Sequence, residues 1–191
     1  MRNLLIFLII FGSGDNLLIN LSTGKIEGVR KTVNYSPLGS QNAVQFLGIP
    51  FAKPPIGKLR FRKPEKPGNW TGIRKADEFG AVCMSDPIAT YKTTTQKPGS
   101  MSEDCLFLNV FTNDFCLKTK NCSLMLAIHG GRFDHETSSS LNPDILINNF
   151  VGQERNIVVV TTNYRLGIFG FGHFGNGNGT SEEASNFALW G

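Results

Sequence analysis

A chain of 191 residues, 40% hydrophobic and 18% charged, has the make-up of one globular domain of ordinary size, which excludes general disorder. The net charge is +4, and the densest basic stretch, KLRFRKPEKP at 58–67, is broken by prolines and a glutamate and carries no nucleic-acid motif. A solvated basic face is expected there, and a nucleic-acid partner is not.

At the N-terminus Arg2 precedes the apolar run LLIFLIIF, which is followed by the small residues Gly12, Ser13 and Gly14. Charge, apolar core and small residues in that order predict a secretory signal over 1–14, with the mature chain from 15 to 191. The run is too short to span a bilayer, which takes about 20 apolar residues, so no transmembrane segment is expected; a buried strand or an N-terminal helix is the alternative. Five N-x-[ST] sequons, at Asn20, Asn34, Asn69, Asn121 and Asn178, agree with a secreted or lumenal glycoprotein. Loss of Arg2 with the leader takes the net charge from +4 to +3.

Strand candidates follow as short apolar runs separated by Gly, Pro, Asn and Ser: AVQFLGIPF, LFLNVF, LMLAI and NIVVVTTNY. LMLAI and IVVV show little alternation, which predicts strands covered on both faces, as in a parallel or mixed α/β sheet. Four cysteines, in an oxidising compartment, read as disulfides with three possible pairings. Cys116 and Cys122 flank LKTKN between two strand-like runs, so a bond there would staple a hairpin and leave Cys83 to Cys105. That second loop would restrict the unfolded chain by roughly 3 kcal/mol. Four reduced, buried cysteines are the alternative if the leader is misread.

Between LMLAI and NIVVV, the segment LNPDILINNFV predicts a helix with Asn142 as N-cap, Pro143 at the first position and Asp144 near the positive end of the dipole. A second helix is expected from Thr180, where Thr180 and Glu183 have capping-box spacing and Ala184, Phe187 and Ala188 form an apolar stripe. One full helix cannot cover both faces of such a sheet. An open face costs several kcal/mol at about 25 cal/mol per Å², against a net stability of about 5 to 15 kcal/mol. These residues are therefore expected to belong to a larger fold and to be marginal alone.

Two motifs lead nowhere. GFGHFG, Gly170 to Gly175, matches G-x-G-x-x-G but opens no helix, so no dinucleotide cofactor is expected. HGGRFDHE brings His129, Asp134, His135 and Glu136 together without metal-ligand spacing, so no metal is expected. Gly130 and Gly131, directly after LMLAI, are more informative. Paired glycines let backbone N–H groups approach a ligand without hindrance from Cβ, as an oxyanion hole for acyl transfer requires; an ordinary tight turn is the alternative.

QFLGIPFAKPPIGKLRFRKPEKPGNW, SEDCLFLNVF, LMLAIHGGRF, NIVVVTTNYRLGIFGF and NFALW, in this order, resemble the N-terminal part of the type-B carboxylesterase and cholinesterase family. The resemblance implies an α/β-hydrolase fold with a mixed, mostly parallel sheet, and ester hydrolysis by a Ser-Glu/Asp-His triad with the serine on a G-x-S-x-G elbow. It matches Cys83 and Cys105 to the family's first disulfide and Arg60 and Glu103 to a structural ion pair. Gly130 and Gly131 match the first two oxyanion glycines. Arg132 stands where the family has a third, which strains the backbone if φ is positive there and sets a long side chain beside the acyl site.

No serine has glycine at both i−2 and i+2; Ser181 in GTSEE comes nearest. The elbow, the acid and the histidine of the family fall beyond Gly191, and His129, His135 and His173 match no catalytic position. The acidic residue that follows NFALW in the family, a partner for Arg165, is likewise outside the sequence. The expectation is thus a partial carboxylesterase domain, inactive as this chain, whose small ester substrate belongs to a longer product. A non-catalytic, adhesion-type relative with a protein partner is the alternative, and a self-sufficient small secreted glycoprotein the third reading. The segment between Cys83 and Cys105 has Tyr91 as its sole aromatic residue and no tryptophan. By resemblance, that favours a general carboxylesterase over a choline-selective one, whose tryptophan there binds quaternary ammonium.

Overall fold

The computed structural model describes residues 17–35, 39–94, 100–119, 121–152, 155–173 and 186–188. The leader at 1–14, Asn178 and the capping box of Thr180 and Glu183 lie outside the described residues. Two strands precede those expected from the apolar runs: β1 (Leu17–Leu21) and β2 (Gly24–Tyr35), antiparallel, with Leu21 opposite Gly24. Gly24 has φ +148°, and a Cβ there would lie 2.5 Å from the Trp70 indole, whose Nε1 donates to the Lys25 carbonyl at 2.9 Å. Glycine thus lets the ring lie flat on the hairpin turn. In β2 the inward residues Ile26 and Val33 lie between polar neighbours, so no apolar run marks that strand, whereas β1 is the short apolar run LLINL.

The sheet runs in the order β1, β2, β3 (Gly39–Pro50), β7 (Phe107–Thr112), β9 (Ile157–Thr162), β8 (Ser123–Ile128), with β4 (Ile73–Lys75) added beside β2. A two-stranded pair, β5 (Val82–Cys83) with β6 (Met101–Ser102), stands apart. The sheet is mixed, as the α/β reading expects, but in the described strands antiparallel pairing prevails: β1–β2, β2–β3, β3–β7 and β7–β9, against parallel β2–β4 and β8–β9. A parallel neighbour needs a long crossover, and within this sheet β8 reaches β9 through a helical one.

That crossover begins at α3 (Pro143–Leu146), where the Asn142 side chain accepts from the Asp144 N–H at 2.8 Å; the turns widen into a π-helix over Ile147–Val151. Leu146, Ile147 and Val151 cover one sheet face, meeting Val33, Ala43, Leu47, Phe111 and Val159. On the other face Ile19, Ile26, Val44, Phe46 and Ile49 are enclosed by the curl of the first strands and by Trp70. Full burial of each such side chain is worth about 1.5–3 kcal/mol.

Coverage on both faces fails at β8. Leu124, Leu126 and Ile128 are exposed, at 62%, 52% and 63%, and their register partners Val158, Val160 and Thr162 are only half-buried. The apolar run is real; what it anticipated on this face is not among the described residues.

The disulfides are Cys83–Cys105 and Cys116–Cys122. The second closes no hairpin, because β9 lies between β7 and β8. Cys116 sits instead in α2 (Asp114–Lys118), capped by the Asn113 side chain, so the bond ties that helix to the start of β8. The first closes a loop holding α1 (Pro87–Thr93), with Tyr91 half-exposed.

Candidate active site

β8 ends at Ile128, and the chain leaves the sheet through His129, Gly130, Gly131, Arg132 and Phe133. Three successive residues are left-handed: Gly131 at φ +88°, Arg132 at +57° and Phe133 at +63°. Only glycine suits the first position, since a Cβ on Gly131 would collide with the His135 carbonyl oxygen. At Arg132 and Phe133 the left-handed backbone costs roughly 1–2 kcal/mol per residue. The turn is nevertheless held, because the N–H groups of Asp134 and His135 donate to the Gly131 carbonyl at 3.0 and 3.1 Å. The Gly167 N–H, at the start of α4 (Gly167–Phe171), also donates to the Phe133 carbonyl at 2.7 Å.

The N–H groups of Gly130, Gly131 and Arg132 have no hydrogen-bond partner among the described residues. A Cβ on Gly130 would meet nothing within 4 Å, so the space beside it is open. Three consecutive amides, unpaired among the described residues, stand at the end of a strand as donors suited to negative charge. The Arg132 side chain is exposed.

Behind the turn lies a buried polar network. Tyr164, 8% exposed, stacks on His129 with ring centroids 4.4 Å apart and donates its hydroxyl to the carbonyls of His129 and Gly130 at 3.0 and 3.1 Å. Burial, and then the Glu136 charge, raise the Tyr164 phenol above its ordinary value, so it stays a donor at neutral pH. Burial also pulls the His129 imidazole down to about 4, outweighing the hydrogen bond to the Gly130 carbonyl, which raises it; the His135 charge adds a smaller lowering. His129 is therefore neutral at physiological pH. Asn163 accepts from the Ser138 N–H and the Thr137 hydroxyl and donates to the carbonyls of Ala81 and Cys105, all within 3.1 Å. Asn109 accepts from the Gly48 N–H and donates to Ser138 and Thr161 at 3.0 Å. Sequence reasoning passed over these side chains; the available signal was polar Asn109, Asn163 and Tyr164 set at or inside strand runs that otherwise bury apolar groups.

The other candidate residues form a neighbouring wall. Arg60 and Glu103 pair through two hydrogen bonds at 2.5 and 2.6 Å, which hold the guanidinium pKa above its ordinary value. With Cys83, Cys105 and Arg165 they line one small cavity. Arg165, 4% exposed, donates through Nη2 to the carbonyls of Arg62 and Phe187 and lies over the Phe187 ring, while Nε and Nη1 find no partner among the described residues. His135 joins the turn through its backbone and acts on the His129 imidazole, while His173 is exposed; among the described residues no group of His, Cys, Asp or Glu is placed to hold a metal. Of the sequons, Asn34, Asn69 and Asn121 are exposed and Asn20 is half-buried in β1.

The chain as a whole is similar to known proteins. The profile described as "Carboxylesterase family" matches residues 15–190. The chain belongs to the carboxylesterase family. The human cocaine esterase is 35% identical over 185 residues, covering 92% of this chain and 32% of that protein. The rat pyrethroid hydrolase Ces2e is 38% identical over 157 residues, 80% of this chain and 26% of that one. Neuroligin-2 of Mus musculus is 32% identical over 189 residues, 81% and 21%. Among solved structures, juvenile hormone esterase from Manduca sexta superposes with a TM-score of 0.75 at 26% identity, covering 92% of this chain and 30% of that one. The fold is thus the α/β fold of a carboxylesterase, and this chain spans about a fifth to a third of the curated relatives' length.

Proposed function

We propose that this carboxylesterase chain contributes the oxyanion-stabilising half of a carboxylic-ester hydrolase and that, as these 191 residues, it does not turn over esters. The observation that carries the reading is the run of amides at Gly130, Gly131 and Arg132, unpaired among the described residues. Such donors stabilise the charge that develops on a carbonyl oxygen under attack, an effect worth about 2.7–4 kcal/mol per donor in enzymes whose nucleophile is in place. No glycine-flanked elbow serine stands in this sequence to deliver that attack. A small ester is the substrate class of the longer product, and a general ester is favoured over a choline ester, since Tyr91 is the one aromatic residue between Cys83 and Cys105. An aryl-acetate assay on the purified chain tests this: no hydrolysis above buffer is expected, and turnover blocked by a serine-directed reagent would refute it.

A non-catalytic binding role is the second reading, favoured by Arg132 in place of the third glycine and by the similarity to neuroligin-2. Affinity capture with the exposed chain, and its loss on substitution around Arg132, would favour that role.

The chain is also assigned to the secretory route, with a leader over 1–14 and the mature domain from 15. Two disulfides and no free cysteine fit an oxidising lumen. Among the described residues no helix is long and apolar enough to cross a membrane. Expression in a eukaryotic host should give a product in the medium whose mobility increases on N-glycan removal, in steps matching Asn20, Asn34, Asn69, Asn121 and Asn178.

A further inference from the structure

The geometry points to Tyr164 as the positioning residue that turns the amide donors of Gly130 and Gly131 to one side; its use in ester chemistry rests on the oxyanion reading above. The peptide group is planar and trans, so its C=O and N–H point in opposite directions. The His129 carbonyl shares a plane with the Gly130 N–H, and the Gly130 carbonyl with the Gly131 N–H. In a strand, successive carbonyls alternate sides. Here two successive carbonyls converge on one hydroxyl, at 3.0 and 3.1 Å, so both N–H groups are directed away from Tyr164. The third donor has a separate anchor, because the Gly131 carbonyl accepts from Asp134 and His135. Tyr164 is itself immobilised by the stack on His129 and by the edge of Phe171, 6.4 Å away at 86°.

The test is amide NMR on the full chain, comparing wild type, Tyr164→Phe and Tyr164→4-aminophenylalanine, which keeps the ring and restores a donor. For Gly130 and Gly131, order parameters should fall from about 0.85 to below about 0.6 in Tyr164→Phe and recover in the amino variant, with β7 and β9 unchanged. Unchanged Gly130 and Gly131 amides in Tyr164→Phe would overturn the proposal. The wild-type chain offers a check that needs no variant: the Tyr164 hydroxyl proton should be protected from exchange with water, and a freely exchanging one also overturns it. Acetate, titrated as a small oxyanion, separates this from the functional reading. If acetate shifts neither glycine amide while Tyr164→Phe still disorders both, the oxyanion assignment fails and the positioning role stands.

Discussion

At Gly131 the backbone and the side-chain space make the same demand. With φ +88° and the His135 carbonyl where a Cβ would go, Gly131→Ala should destabilise the chain by at least about 1–2 kcal/mol, measured by urea unfolding. Arg132 is the opposite case, since its φ of +57° is paid for by a residue that gains nothing from it. Arg132→Gly relieves roughly 1–2 kcal/mol of left-handed strain and adds about 0.5–1 kcal/mol of unfolded-chain entropy, so a gain of about 0.5 kcal/mol is expected. A loss of stability would mean that the Arg132 side chain makes a contact worth more than the strain. His129 gives a pH dependence with a defined sign. Its imidazole is depressed from 6.5 to about 4 in the folded state, so between those values the unfolded chain binds more protons and stability falls as the pH drops. The loss begins near pH 6.5 and is complete near pH 4. His129→Phe keeps a ring on Tyr164 and should flatten that slope; an unchanged slope would assign it to other groups.

The strands that hold this site differ in how visible they were. AVQFLGIPF, LFLNVF, LMLAI and NIVVV lie in β3, β7, β8 and β9, and Asn142 caps the crossover helix, because each is a local pattern of apolar spacing or capping chemistry. β2 escaped, since Ile26 and Val33 are buried there between polar neighbours; β1 was missed although LLINL is itself a short apolar run. Strand order was equally hidden: nothing local in LFLNVF or LMLAI says that β9 will come between them. At the site, Gly130 and Gly131 were legible, whereas Tyr164 acts on them from 34 and 33 residues away, a pairing that only the β8–β9 register creates. The disulfides should be unequal at this level. Loops of 22 and 6 residues restrict the unfolded chain by about 3 and about 2 kcal/mol, and Cys83 and Cys105 are also buried. Double replacement by serine should lower the unfolding midpoint more at Cys83–Cys105 than at Cys116–Cys122; the reverse order would show that α2 anchors more than its own end of β8.

For the whole molecule, the open face of β8 governs behaviour in solution. Leu124, Leu126 and Ile128 project from a marginal strand of the sheet, an arrangement that invites self-association. Leu126→Lys should reduce light scattering by the isolated chain while leaving its unfolding midpoint within about 0.5 kcal/mol. A large destabilisation would show that Leu126 is covered in the monomer. The position of β9 has a bearing on biosynthesis. It is last of the described strands to be translated and lies between two made earlier, pairing with β7 on one side and β8 on the other. Until residue 162 clears the ribosome, β7 and β8 face each other across an unfilled slot, each with a bare hydrogen-bonding edge. The nascent chain must keep that slot open for some 34 residues after β8 is complete, so the interval between synthesis of Ile128 and Thr162 is when β7 and β8 are most exposed to wrong pairing and to capture by chaperones.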